Sequence, residues 1–307
     1  MIDRIENNFS IFIVIAFVLG LAFPDQAKLL NPFMIYVLMG IMYFTILNMD
    51  LDNIKDILVK PLYLMALVFT ILIITPALFY AISKVIYPEL AAAALIIGAL
   101  PAALASSSIT GLLRGNVKVA LITTVVTSLI APFSIPLLIK VFIGVETAAD
   151  VPDMLIMLSE VIFIPFVLAF VSKRRAPRFI ERTRKYYTLV NIMLLFMTVF
   201  GPIGYNAGYI KENIDKTITI SLYFMLLAVL LHLLGWYLSH GRPLDYKIAS
   251  TVVVFYNNIT LGIVFASNFF SPLITLAVVL YNVPWCIMMV PFQYFLKRYA
   301  RVKDKGY

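Results

Sequence analysis

Long apolar segments alternate with short polar loops along the whole chain. Crossing the hydrocarbon core of a bilayer takes about 20 apolar residues in helical conformation, and β-barrel strands would instead alternate apolar and polar residues. The pattern therefore predicts an all-α membrane protein with ten transmembrane helices. We place them at about 9–23, 32–47, 61–86, 90–113, 118–144, 153–172, 186–206, 217–239, 247–268 and 272–296.

Composition excludes several classes of protein. Hydrophobic residues make up 62% of the 307 residues and charged residues 13%, about half the charged share of a soluble protein, which rules out a soluble enzyme and a disordered chain. Cys286 is the only cysteine and there are two histidines, so no Cys/His metal site is expected. Acidic Asp3 and Glu6 precede the first segment, which favours a span over a signal peptide.

The distribution of positive charges predicts which side of the membrane each loop lies on. Net charge is +8, and with ten spans 19 of the 24 Lys and Arg residues fall on the side that holds both termini. The positive-inside rule places that side in the cytoplasm, so we expect a multi-pass protein of the inner (plasma) membrane. The basic cluster at 173–185 is interpreted as a cytoplasmic anchor beside lipid headgroups, and no nucleic-acid partner is expected.

The chain resembles itself at an offset of about 150 residues. Ser107–Thr110 matches Asn257–Thr260, and Leu121-Ile122-Thr123 with Pro132 matches Leu273-Ile274-Thr275 with Pro284. The repeats would be 1–150 and 151–307, each with five spans. Because five is odd, the second repeat enters the membrane from the opposite side, and such inverted repeats are a feature of secondary transporters.

Spans four and nine carry polar residues at membrane depth. Pro101 disfavours helix at the residue before it, and Ser106, Ser107 and Ser108 follow; Asn257 and Asn258 occupy the matching place in span nine. Two such clusters at equivalent places predict discontinuous helices that cross near the midplane and surround a substrate site. Side chains that only support helix packing are the alternative explanation.

Two ionisable residues lie inside predicted spans, Glu160 in span six and His232 in span eight. Intramembrane ionisable groups are functional candidates by default, and these two are the candidates for proton coupling. A structural hydrogen bond is an equal alternative for Glu160 and the preferred one for His232. No constellation of acids, bases or metal ligands indicates an enzyme.

The chain resembles the bile acid:sodium symporter family over nearly its whole length. The residues that carry the resemblance are Gly98–Pro132 with Pro101, Ala105-Ser106 and Leu113–Val117, then Gly40–Met42 through Pro61, His232, Asn257-Asn258 and Ser271-Pro272. The resemblance implies ten helices in two inverted repeats, a panel domain of helices 1, 2, 6 and 7, and a core domain of helices 3–5 and 8–10 with helices 4 and 9 broken. It also implies transport of organic anions driven by two sodium ions.

Only part of the family's site is carried over to this sequence. Ser106 and Thr124 match sodium ligands, Ser107 stands where an Asn is usual, and Asn257 replaces a Gln. These four are the candidate cation ligands, and Ser106, Ser107 and Thr124 are the three that are assigned to Na⁺. Asn258 matches an Asn near the substrate, and Ser108 and Thr110 are the other candidate substrate contacts.

Some family ligand positions hold apolar residues here. Val253 stands where the family places a carboxylate that serves both sodium ions, Ala120 replaces a ligand hydroxyl, and Ile71 replaces a Gln. An acidic partner contributes several kcal/mol to cation binding even at an effective dielectric of about 20. Sodium coupling is therefore expected to be weakened or lost.

The sequence thus predicts a secondary active transporter of a small organic anion that works by alternating access. The alternatives are a proton-coupled or uncoupled carrier or exchanger of the same fold, and a non-transporting membrane sensor. The sequence specifies neither the substrate nor the oligomeric state.

Overall fold

The computed structural model describes residues 9–49, 61–144 and 150–304, and these residues are helical with no β-strand. The loop with Lys55 and Lys60 lies outside the described residues. Seven helical stretches are long and apolar enough to span a membrane: Pro24–Asn48, Pro61–Ile86, Val117–Phe142, Val151–Arg175, Pro177–Tyr205, Ile214–Leu238 and Pro272–Tyr299.

The other three predicted spans are short or divided. The first is Phe9–Ala22, with 14 residues. The fourth consists of Ala91–Ala99 and Ser106–Leu112, and the ninth of Leu244–Phe255 and Ile259–Phe269. Neither half of the fourth or ninth span is long enough to cross a bilayer by itself.

The helices used below are numbered in chain order, leaving out the shorter connecting helices. They are α1 Phe9–Ala22, α2 Met34–Asn48, α3 Pro61–Phe69, α4 Thr75–Ile86, α5 Ala91–Ala99, α6 Ser106–Leu112, α7 Val117–Phe142, α8 Val151–Arg175, α9 Tyr187–Tyr205, α10 Ile214–Leu238, α11 Leu244–Phe255, α12 Ile259–Phe269, α13 Pro272–Leu280, α14 Asn282–Ile287 and α15 Met289–Asp304. A π-helical turn, Thr70–Ile74, joins α3 to α4.

Two groups of helices follow from the packing. Helices α1, α2, α8 and α9 pack together, with α9 against both α1 and α2 and α8 against α2. In the second group α6 packs against α7 and α11, α5 against α4 and α12, and α10 against α11. Helix α7 lies against α8 and so connects the two groups.

A close helix contact supports the end of α5. Thr75 Oγ1 donates to the carbonyls of Ile71 and Gly98, each at 2.7 Å. A Cβ atom on Gly98 would lie 2.8 Å from Pro76 Cα, so only glycine allows the two backbones to approach this closely. The contact fixes the last turn of α5 just before the break.

We expect Gly98→Ala to lower the thermal unfolding midpoint of the purified protein clearly. The added methyl group meets backbone that cannot rotate away, and overpacking of this kind costs about 1–3 kcal/mol. Gly208→Ala is the matched control, because among the described residues no atom outside its own stretch of helix lies within 4 Å of its added Cβ. Equal midpoints for the two variants would contradict the close contact of α4 and α5.

Candidate functional site

The breaks in the fourth and ninth spans meet each other. An antiparallel β-bridge pairs Ala102 with Asn257. The amide of Ala103 donates to the carbonyl of Tyr256 at 2.7 Å, and the amide of Asn258 donates to the carbonyl of Pro101 at 2.8 Å. Each extended link thus satisfies backbone groups that the other helix break leaves without an intrahelical partner. We call this region the crossing, defined as residues 100–105 and 256–258.

Three of the predicted cation ligands donate hydrogen bonds to carbonyls at the crossing. Asn257 Nδ2 donates to Ile97 O at 2.8 Å, Ser106 Oγ to Tyr256 O at 3.2 Å, and Thr124 Oγ1 to Ala103 O at 3.3 Å. All three side chains are buried. The structure therefore brings Ser106, Thr124 and Asn257 together as donors to backbone.

Helix α7 contributes one further side chain. Thr127 Oγ1 accepts a hydrogen bond from the amide of Ala102 at 3.2 Å and donates to the carbonyl of Thr123 at 2.8 Å. In the sequence Thr127 shares a helix face with Thr124 and was interpreted only as a hydroxyl suited to an alkali cation, so its contact with the first link was not predicted. Its hydroxyl connects α7 directly to the first link of the crossing.

The remaining predicted residues differ in exposure. Asn258 is buried, and its Oδ1 caps α12 by accepting from the amide of Leu261 at 3.3 Å. Ser107 is half-buried, Ser108 is exposed, and Thr110 is fully buried in α6. Ser108 thus lies on the outside of α6, whereas Thr110 lies inside the helix packing.

Several buried polar atoms near the crossing have no hydrogen-bond partner within the described protein. They are Asn257 Oδ1, Asn258 Nδ2, Thr110 Oγ1, Thr123 Oγ1 and Ser128 Oγ. A buried polar group without a partner costs about 1–3 kcal/mol, so such groups are normally satisfied by water or a ligand. Because several such atoms lie close together, this region can accommodate water or a polar ligand.

A small apolar cavity lies beside the crossing, between the two groups of helices, and its enclosed space of about 20 Å³ is room for about one water molecule. Helices α2 and α8 form one wall, and α7 with the first link of the crossing forms the other. The lining residues are Met42, Ile46, Met49, Leu104, Val125, Ser128, Leu129, Ile162 and Phe166. Ser128 supplies the single polar side chain of this lining.

The two intramembrane ionisable residues differ in their distance from the crossing. Glu160 is exposed on α8. His232 is buried in α10 beside the ring of Tyr256, with centroids 6.3 Å apart. Its Nδ1 donates to Ala228 O at 2.9 Å, while Nε2 has no partner among the described residues. The imidazole packs against the ring of Phe255, with centroids 4.1 Å apart. Neither residue hydrogen-bonds to the crossing.

Comparison with known proteins identifies the family. The profile of the Sodium Bile acid symporter family matches residues 35–213, more than half of the chain. This protein belongs to the sodium bile acid symporter family. It is therefore a multi-pass membrane protein of a family of sodium-dependent transporters, and membership points to transport rather than to catalysis.

Curated relatives of the family align with most of the chain. An uncharacterized sodium-dependent transporter, YocS of Bacillus subtilis (strain 168), is 24% identical over 87% of this chain and 84% of its own length. The probable sodium/metabolite cotransporter BASS1, chloroplastic, of Arabidopsis thaliana is 23% identical over 88% of this chain and 68% of its own length. The probable cotransporter BASS2, chloroplastic, of rice is 21% identical over 83% of this chain, which spans 61% of that protein.

The side chains at the predicted sodium-ligand positions carry no charge. Val253 and Ala120, at two expected ligand positions, are fully buried and apolar, and Ile71 is buried at the third. No group of three His, Cys, Asp or Glu side chains that would hold a metal ion occurs in residues 9–49, 61–144 and 150–304. Neutral acceptors such as Asn257 Oδ1 and Thr123 Oγ1 remain, but the side chains that match ligands already donate to carbonyls.

Proposed function

We propose that this protein is a secondary active carrier of small organic anions with weakened or lost sodium coupling. The observation that carries the proposal is the crossing, where two interrupted helices and several unpartnered polar atoms lie beside an apolar cavity in a member of a transporter family. A polar region next to an apolar one matches an amphipathic anion, whose charged group and hydrocarbon part need different surroundings.

The proposed architecture has ten spans in two inverted repeats, 1–150 and 151–307. In it helices 1, 2, 6 and 7 form a panel domain and the remaining six a core domain, and both termini are cytoplasmic in the inner membrane. Two groups of helices that meet where α7 lies against α8 and where α12 and α13 lie against α2, α8 and α9 support this division, because such groups can shift as rigid bodies.

Alternating access follows from the same architecture. The cavity includes Met49, the last described residue before the 50–60 loop, which is cytoplasmic in the proposed topology. The cavity then lies in the cytoplasmic half of the membrane, as an inward-facing carrier requires. Motion of one helix group against the other closes this cavity and opens the opposite side.

In the proposed site the crossing holds the anionic group, and the apolar residues around the small cavity contact the apolar part once the two helix groups move apart. Asn258 Nδ2 and Thr110 Oγ1 are buried and have no hydrogen-bond partner among the described residues, and together with Ser108 these residues are the proposed substrate contacts. Ser106, Ser107, Thr124 and Asn257 remain the proposed surroundings of any cation, which would be a co-transported substrate rather than a resident cofactor.

Uptake into proteoliposomes tests the carrier. Purified protein is reconstituted and offered labelled cholate and labelled pyruvate as a large and a small carboxylate, under imposed anion, sodium and proton gradients. We expect concentrative or counterflow uptake of at least one probe, and its loss in Asn258→Leu. Absence of uptake and of counterflow under every gradient would contradict the proposal.

We expect neither intramembrane ionisable group to couple protons to transport. Glu160→Gln and His232→Gln should keep the parent's pH profile of uptake between about pH 5.5 and pH 8, a range that brackets the ordinary pKa of histidine. The reason is position, since Glu160 is exposed on α8 and His232 is held among aromatic rings. A profile that flattens in one variant would assign proton coupling to that residue.

A further inference from the structure

Glu160 occupies an unusual place for a carboxyl group. In Val117–Phe142, Val151–Arg175, Tyr187–Tyr205 and Ile214–Leu238, it is the only Asp, Glu, Lys or Arg more than four residues from a helix end. At 1.5 Å of rise per residue, it lies about 13 Å from the start of α8, which is close to the middle of a membrane.

The side of α8 that carries Glu160 faces away from the protein. Glu160 is exposed, and so are its neighbours on that side, Ile156 at 52%, Ile164 at 43% and Val167 at 57%. These positions are four before, four after and seven after Glu160 and therefore form one continuous stripe. We call Ile156, Glu160, Ile164 and Val167 the α8 stripe.

The cavity lies on a different side of α8. Ile162, which lines the cavity, is two positions after Glu160, and two positions turn a helix by about 200°. The α8 stripe therefore faces lipid rather than the cavity. Within the described residues Glu160 has neither a hydrogen-bond partner nor a salt bridge, because the one ion pair found there joins Lys28 and Asp25.

A carboxyl group in hydrocarbon needs a partner at its own depth. The charged form is strongly disfavoured there, and the protonated form retains a donor and an acceptor that lipid tails cannot satisfy. Interhelical hydrogen bonds between polar side chains are a recurrent way of meeting this need in membranes.

We propose that the α8 stripe is the interface of a homodimer in which the Glu160 carboxyl groups of two copies hydrogen-bond to each other. A two-fold axis normal to the membrane brings identical residues to identical depth. A protonated carboxyl group is complementary to itself, since it donates one hydrogen bond and accepts another. The flanking Ile156, Ile164 and Val167 supply the apolar contacts of an isologous helix pair.

Cysteine cross-linking in lipid tests the geometry without requiring transport. In a Cys286→Ser background, Glu160→Cys and Ile164→Cys are oxidised in proteoliposomes. Leu222→Cys is the control, because Leu222 is 65% exposed on α10 and lies eight residues from the start of its helix, against nine for Glu160. We expect disulfide-linked dimers from the first two variants and none from the control.

The hydrogen bond itself is tested by the dissociation constant of the dimer in bilayers, measured by single-molecule photobleaching over a range of protein-to-lipid ratios. Glu160→Gln keeps a donor and an acceptor and should dimerise like the parent. Glu160→Leu should dissociate about tenfold more readily, because the pair loses both of its interhelical hydrogen bonds. A parent that stays monomeric at all ratios, or dimers that form equally through Leu222, would overturn the proposal.

Discussion

Replacing Asn257 by leucine is expected to reduce the initial rate of anion uptake about tenfold to 100-fold. The side chain is 4% exposed and donates to Ile97 O at 2.8 Å, which joins the end of α5 to the link before α12. Leucine removes this donor and leaves Ile97 O with only the longer hydrogen bond from the amide of Leu100 at 3.4 Å. Weakening a buried polar contact in this way costs about 1–3 kcal/mol, and each 1.4 kcal/mol corresponds to a factor of ten. The measurement is initial uptake in proteoliposomes at matched protein content.

Asn268→Leu provides the matched control for this loss. Asn268 Nδ2 also donates to a backbone carbonyl, Val264 O at 2.7 Å, but it is exposed on α12 and takes no part in the crossing. We expect its uptake rate to stay within about twofold of the parent, since surface substitutions change stability by only about 0.5 kcal/mol. If both variants lost transport equally, the crossing would have no special role.

The interruption of two helices could be predicted from the sequence because it has a local cause. Pro101 removes a backbone donor, and the serines and asparagines that follow are too polar to face lipid. The structure has α5 end at Ala99 and α11 end at Phe255, next to these residues. The predicted and observed breaks agree because a helix is interrupted by residues that lie next to the break in sequence.

The role of the polar side chains could not be predicted in the same way. Asn257 was expected to offer its oxygen to a cation, which stays a prediction, since Oδ1 has no partner among the described residues. What the sequence did not predict is that its nitrogen donates to Ile97 O, 160 residues away in sequence. An amide side chain carries both a donor and an acceptor. Which of the two faces the site depends on the partner helix, and that information is absent from a single segment.

Neither the cavity nor the direction of the Glu160 side chain could be predicted from the sequence. Met42 and Ile46 line the cavity, while Tyr36 on the same helix is 70% exposed. In a soluble helix hydrophobicity separates the buried from the exposed face, but in a membrane both faces are apolar. The direction of a side chain such as Glu160 therefore follows only from the packing of neighbouring helices.

Uptake by the parent protein is expected to be nearly the same in sodium and in potassium buffers. The carbonyls of Ile97, Ala103 and Tyr256 already accept hydrogen bonds from Asn257, Thr124 and Ser106. No carboxylate lies at position 253, where buried Val253 occupies the place of the expected acidic ligand. At equal ionic strength the thermal unfolding midpoint should likewise be the same in the two salts. A rate or midpoint that rises only with sodium would show that coupling survives.

A single substitution should create the sodium dependence that we expect the parent to lack. In Asn257→Asp an oxygen takes the place of Nδ2 and lies about 2.8 Å from Ile97 O, the distance of the present hydrogen bond. Two oxygens at that separation repel, and a bound cation converts the repulsion into coordination. The remaining acceptor, which corresponds to the unpartnered Asn257 Oδ1, is available to the same cation.

The expected result for Asn257→Asp is a midpoint about 5 °C higher in saturating sodium than in potassium at mildly alkaline pH, where the carboxyl group is ionised. Binding at about 100 times the dissociation constant contributes about 2.7 kcal/mol, and each kcal/mol shifts the midpoint by about 2–4 °C in domains of 150–250 residues. The isosteric parent is the control, because it differs only in the charge and in the exchange of NH₂ for oxygen. A variant that is stabilised by low pH and not by sodium would show that a proton relieves the repulsion instead, and that the neutral oxygens around the crossing are too few or too distant to complete a cation site.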